Sequence, residues 1–138
     1  MTATATVTAT TTVTATPASF APTVLIVEDE WLIADLIVCA VTDAGYRALG
    51  PAATVHEALA LLATTPCDAA LLDINLGPDK SYPLIDRLSA LRIPYLLVTG
   101  YCPQDLPERY RRSACIGKPP DPARLIAALR TLIAPPPA

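Results

Sequence analysis

The chain has 138 residues, 52% of them hydrophobic, with a formal net charge of −3 and an isoelectric point of about 4.9. That is one domain's worth of chain, and aromatics at only 5% mean that its core must be aliphatic. A protein that wraps nucleic-acid phosphates carries a basic excess, so the acidic balance argues against nucleic-acid binding.

Four cysteines (Cys39, Cys67, Cys102 and Cys115) are scattered without a C-x-x-C pair, and His56 is the single histidine. A Cys/His zinc site therefore has little support, and the cysteines are expected as buried or half-buried thiols in a reducing cytoplasm. No apolar run approaches the ~20 residues of a membrane helix, and the start lacks the basic and apolar regions of a signal peptide. A soluble, cytoplasmic protein without membrane contact is expected.

Residues 2–16 are almost entirely Thr, Ala and Val. Such a stretch cannot bury enough to offset its ordering entropy, so residues 1–22 read as a flexible tail. Its alternation would also suit occasional pairing with an exposed sheet edge.

From Thr23 the pattern becomes regular. Residues 23–27 form a short continuous apolar run, the mark of a strand buried on both faces. Trp31 to Ala44 reads as a helix with apolar residues at 32, 33, 36, 37 and 41, ended by Gly45. Residues 47–50 make a weak strand. Thr54 with Glu57 three residues on is a capping box, opening a helix to about Ala63 with His56 exposed in its first turn. Residues 69–74 are the third strand, 84–91 a helix and 94–99 the fourth strand. The stretch 104–112 is at best a short, proline-interrupted helix, followed by a fifth strand at 114–117. Asp121 caps a last helix with Pro122 at its first position and apolar residues at 125, 126, 129, 132 and 133. The domain so defined runs from 23 to 134, and a proline-rich tail occupies 135–138.

Five strands separated by helices make an α/β protein with a parallel, doubly wound (βα)5 sheet, whose usual order is 2-1-3-4-5. Its crevice lies at the carboxyl ends of strands 1 and 3. Every strand end except the second delivers a polar group to that rim: Glu28-Asp29-Glu30, Asp73, Thr99 and Lys118. Clustered carboxylates repel, so Glu28, Asp29 and Asp73 together call for a cation, and oxygen ligands with open positions suit Mg²⁺. Lys118 adds a fixed positive charge and Thr99 a hydroxyl donor. A carboxylate nucleophile among such groups is equipped to form an acyl-phosphate.

The segments Val24-Leu-Ile-Val-Glu-Asp-Glu30, Leu71-Leu-Asp-Ile-Asn-Leu76, Val98-Thr-Gly-Tyr101 and Lys118-Pro119 resemble the four signature stretches of response-regulator receiver domains. They stand in the family's order and span about 23 to 133. The resemblance implies that Asp73 is the phosphoacceptor, and that Asp29, with Glu28 behind it, and the backbone carbonyl of Asn75 hold Mg²⁺ or Mn²⁺. It further implies that Thr99 and Lys118 contact the phosphoryl group and that Lys118–Pro119 is cis. The run 93–101 and the following Leu106-Pro-Glu-Arg109 are similar to a receiver subgroup, common in α-proteobacteria, with a Phe-Ala-Thr-Gly-x-Tyr-like motif, although Leu97-Val98 replaces Phe-Ala. Where many receivers carry a Tyr or Phe three residues before the lysine, this chain has Cys115. Tyr101 and the surface near Arg109 are then the expected readout.

The resemblance implies a signalling domain, not an enzyme: a stand-alone receiver that takes a phosphoryl group from a histidine kinase or phosphotransfer protein and acts on a downstream protein, with homodimer formation among its possible contacts. An aspartyl-phosphate phosphatase would need a second aspartate where Asn75 stands. A degenerate receiver that binds partners without phosphorylation is the other alternative. Neither G-x-G-x-x-G nor a P-loop is present. Trp31 is expected to pack near the first helix or to contact a partner. Arg109, Arg111 and Arg112 form a small basic face.

Overall fold

The computed structural model describes residues 21–100 and 103–133. The expected tails, apart from Ala21 and Pro22, lie outside the described residues, as do Tyr101, Cys102 and the final proline run. In chain order the elements are β1 (Thr23–Val27), α1 (Trp31–Asp43), β2 (Arg47–Ala52), α2 (Val55–Thr64), β3 (Ala69–Leu72), β4 (Asn75–Leu76), β5 (Asp79–Lys80), α3 (Tyr82–Ala90), β6 (Tyr95–Thr99), two 3₁₀ turns (Pro103–Asp105 and Glu108–Tyr110), β7 (Cys115–Gly117) and α4 (Pro122–Ile133). Five strands form one parallel sheet in the order β2-β1-β3-β6-β7, which is the expected doubly wound topology.

Alternate residues of the central strands feed two cores. Val24, Ile26, Ala69, Leu71, Leu96 and Val98 face α1 and α4. Leu25, Val27, Ala70, Leu72 and Leu97 face α2, α3 and the 3₁₀ segment. A strand covered on both sides must be apolar at every position, which is why β1 and β3 read as unbroken runs.

The helix ends follow from identifiable residues. Thr54 Oγ1 accepts from the Glu57 N–H at 3.0 Å, while Glu57 Oε1 accepts from the Ala53 N–H at 2.8 Å. The box thus closes on the residue before the cap. Asp121 Oδ2 accepts from the Arg124 N–H at 3.0 Å at the start of α4. At the end of α1, the Tyr46 N–H reaches the Val41 carbonyl and the Gly45 N–H that of Thr42, with Gly45 at φ +96°. This is a Schellman ending. Arg92, at φ +60°, closes α3 in the same pattern through Ile93 and Leu88.

Several expectations are corrected. The inward stripe of α1 is Ala34, Ile37 and Val41; Leu32 is 65% exposed and Ile33 only half-buried. Positions 34, 37 and 41 share one face by the 3.6-residue period, and Leu32 lies off it. Cys39 is exposed, whereas Cys67 and Cys115 are half-buried. The stretch 104–112 forms no α-helix: its prolines leave two 3₁₀ turns, anchored by the buried Leu106 and Tyr110. The Tyr110 ring stacks on Tyr82 at 4.7 Å between centroids, and its hydroxyl donates to Asp86. The third strand ends at Leu72 rather than 74, because residues 75–80 turn away as the small antiparallel β4–β5 hairpin.

β2 runs through a cis Gly50–Pro51 bond to Ala52. Gly50 stands at φ +104°, and a Cβ there would lie 2.8 Å from both the Ile26 carbonyl oxygen and the Ala52 nitrogen. Only glycine fits this close approach. Beyond it, the Ala52 carbonyl accepts from the Glu28 N–H at 2.9 Å.

Candidate functional site

The carboxyl ends of β1, β3, β6 and β7 converge on one cavity of about 440 Å³, lined by Asp29, Glu30, Asp73, Asn75, Thr99 and Lys118 among others. Glu28 follows β1 and is 2% exposed; Asp73 follows β3 at 5%; Thr99 closes β6 at 1%. Buried polar groups at the end of a sheet are costly unless paired.

Lys118 supplies the pairing. The expected cis bond to Pro119 is present. The ammonium lies 2.7 Å from Asp73 Oδ2, 2.9 and 3.0 Å from the two oxygens of Glu28, and 3.2 Å from Glu30 Oε1. Burial works against the lysine's charge, but bonds to Asp73 and Glu28 outweigh it and hold the ammonium well above the ordinary lysine value. Burial also pushes the Glu28 carboxyl up, and repulsion from Asp73 adds to it against the pull of Lys118.

The remaining groups are held by backbone and by Lys80. Asp29 Oδ2 accepts from the Gly77 N–H at 2.8 Å, which ties the β4–β5 turn to the end of β1. The Asp73 N–H donates to the Val27 carbonyl. The Asn75 side-chain oxygen accepts from Lys80 Nζ. Oxygens of Glu28, Asp29 and Asp73 all lie within 4.8 Å of one another. That all-oxygen set, open to the cavity on the Asp29 side, fits a small hard cation.

Among the described residues, every expected phosphoryl- and metal-contact position reaches this rim. Of the expected readout positions, Tyr101 lies outside the described residues, and Cys115 and Arg109 stand away from the rim. Cys115 is half-buried beside Leu97, and Arg109 lies outside the cavity. Arg109 donates to Asp86 at 2.8 Å and lies over the Tyr110 ring at 4.7 Å. His56 is exposed as expected.

One residue of the site, Ser81, was not legible, and neither was the contact that Glu30 makes. Ser81 is fully buried, and its hydroxyl donates to the Asp73 carbonyl at 2.7 Å while its N–H bonds the Ile74 carbonyl. A lone serine before Tyr-Pro carries no signal for this. Glu30 was visible in the acidic run, but its bond to Lys118 joins residues 88 apart. Ser81→Ala should cost about 1–2 kcal/mol, since it leaves the Asp73 carbonyl short of a buried partner. Urea unfolding with an unchanged m-value is the check.

These are the fold and rim of a receiver domain. Residues 24–130 match the response regulator receiver domain family, and the chain belongs to that family of signalling domains. Over 113 residues the chain is 33% identical to the phyllosphere-induced regulator PhyR of Methylorubrum extorquens, covering 80% of this chain and 39% of that protein. The chain thus spans well under half the length of that relative. The solution structure of SdrG from Sphingomonas melonis superposes with a TM-score of 0.72 at 33% identity, over 83% of this chain and 98% of that one. The receiver domain of Erythrobacter litoralis PhyR gives 0.75 over 88% and 98%, and at 24% identity speaks for the fold alone. Receiver domains bind Mg²⁺ through an acidic pocket, and Glu28, Asp29 and Asp73 form an acidic group at the corresponding rim here. Among the described residues, no helix is long and apolar enough to cross a membrane.

Proposed function

We propose that this chain is a phosphorylation-dependent signalling switch whose phosphoacceptor is Asp73. The observation that carries the reading is the Asp73 carboxylate held 2.7 Å from the Lys118 ammonium on an open cavity, with Thr99 and two further carboxylates around it. An Asp73 oxygen attacks the phosphorus of a phosphohistidine; the P–O bond forms as the P–N bond breaks, and the imidazole nitrogen keeps the electron pair and is protonated. Lys118 and Thr99 then contact phosphoryl oxygens. Asp29, Asp73 and the Asn75 carbonyl, with Glu28 behind, would hold Mg²⁺ or Mn²⁺, which when bound supplies the charge that lets a carboxylate approach an anionic phosphoryl group.

The donor on this reading is a histidine kinase or phosphotransfer protein in the cytoplasm. Trp31 and Leu32, 75% and 65% exposed beside Glu30 at the start of α1, offer it an apolar contact at the rim of the cavity. The signal passes to a downstream protein through the segment that begins at Thr99, including Tyr101, with Cys115 and Arg109 on its borders. The functional unit is 23–134, with 1–22 and 135–138 as tails outside it.

Incubation with acetyl phosphate and Mg²⁺ should add one phosphoryl group by intact mass, and beryllofluoride should bind with one-to-one stoichiometry. Chelation of the metal should abolish both. A folded protein that takes up neither would leave the phosphorylation-independent binding module as the better reading.

A further inference from the structure

We propose that Glu30 is a charge gate at the mouth of the cavity, discriminating among phosphodonors by their charge through its hold on Lys118. The inference rests on Asp73 being the phosphoacceptor. Glu30 occupies the N-cap of α1, yet its side chain makes no capping bond. Its carboxylate is directed to Lys118 instead, at 3.2 Å, and it lines the cavity with its side chain 59% exposed.

An ammonium has three hydrogens. Asp73, Glu28 and Glu30 present three carboxylates to them. An arriving phosphoryl oxygen must therefore displace one of these partners. Glu28 and Asp73 are the poor candidates, because their side chains are only 1% and 7% exposed and removing Lys118 would strand them. Glu30 has the longest contact and the best hydration, so it is the partner exchanged. Once displaced it still stands at the entrance, and its negative charge opposes each incoming anion in proportion to that anion's charge.

Glu30 is thus a positioning residue whose signature is selectivity. Acetyl phosphate is a dianion near neutral pH and phosphoramidate a monoanion, so the two probe the gate unequally. With Mg²⁺ at low salt, Glu30→Gln should speed labelling by acetyl phosphate about threefold and by phosphoramidate less than about twofold. Both gains should shrink as salt screens the charge. Glu30→Asp, which keeps the charge, should keep the wild-type donor ratio; Glu30→Lys should shift it further than Glu30→Gln.

A donor ratio that moves with residue charge, at matched melting temperature, supports the gate. Equal acceleration of both donors in Glu30→Gln, or a ratio indifferent to charge at position 30, overturns it while leaving the phosphoacceptor in place. If wild type takes up neither donor nor beryllofluoride, the phosphoacceptor reading fails first and the gate with it.

Discussion

Asp73→Asn is expected to reduce phosphoryl uptake at least about a hundredfold, to background, in a protein that remains folded. The amide keeps the shape of the side chain and removes the nucleophile. It also removes one of the three carboxylates that Lys118 serves, but Glu28 and Glu30 remain within 3.2 Å, so the ammonium is not orphaned. Loss of the Lys118 bond at 2.7 Å is offset by relief of the repulsion between Asp73 and Glu28. The net stability change should stay within about 1 kcal/mol, at most roughly 3–6 °C in Tm for a domain of this size. Intact mass after acetyl phosphate treatment and a thermal melt together read both halves. Labelling of the variant at the wild-type rate would move the acceptor elsewhere.

Lys118→Met should produce the largest stability loss. The substitution leaves Glu28, 2% exposed, without its cation and beside Asp73. Breaking a buried pair by removing one partner costs about 3–5 kcal/mol near neutral pH. The loss should depend on pH in a set direction. Burial already raises the Glu28 carboxyl above its ordinary 4.5, and without Lys118 it rises further. A carboxyl whose folded pKa lies above its unfolded value favours the fold most below the unfolded value, and that contribution disappears as pH rises through the folded value. The gap between variant and wild type should therefore be smallest near pH 4.5 and widen toward neutrality. On the proposed reading Mg²⁺ should stabilise the variant, since a cation held only by the folded carboxylate cluster favours the folded state. Denaturant titrations at several pH values measure the gap. A gap constant across that range would show that Glu28 is not the group left stranded.

How far such a site can be read without coordinates depends on where its information lies. β1, β3 and β6 were legible because burial on both faces makes each an unbroken apolar run, and their order follows from the handedness of crossovers. Asp29, Asp73 and Thr99 were legible because each sits at or just past the end of such a strand, and Lys118 because it follows the short strand β7 and precedes Pro119. The bond from Ser81 to the Asp73 carbonyl and the turn that places Gly77 on Asp29 were not, for they depend on a hairpin of two-residue strands too short to have a period. The exposure of Leu32 was hidden because an apolar residue flanking a helix's inward stripe looks the same in sequence as one upon it. The 3₁₀ turns at 103–110 were half legible: Pro107 announced an interruption, but only the Tyr82–Tyr110 stack shows what anchors the chain there.

Gly50 illustrates a constraint that crosses the sheet. It lies on an exposed edge strand with no group in the cavity, where substitution would ordinarily be cheap. Any side chain there would press on the Ile26 carbonyl and the Ala52 nitrogen, and Ala52 in turn holds the backbone of Glu28. The edge of β2 therefore acts as a gauge block for the acidic rim, setting its height from outside. A change at position 50 would demand compensation at the end of β1. A glycine at an outer strand, silent in every assay of charge or nucleophilicity, is thus part of what the rim inherits.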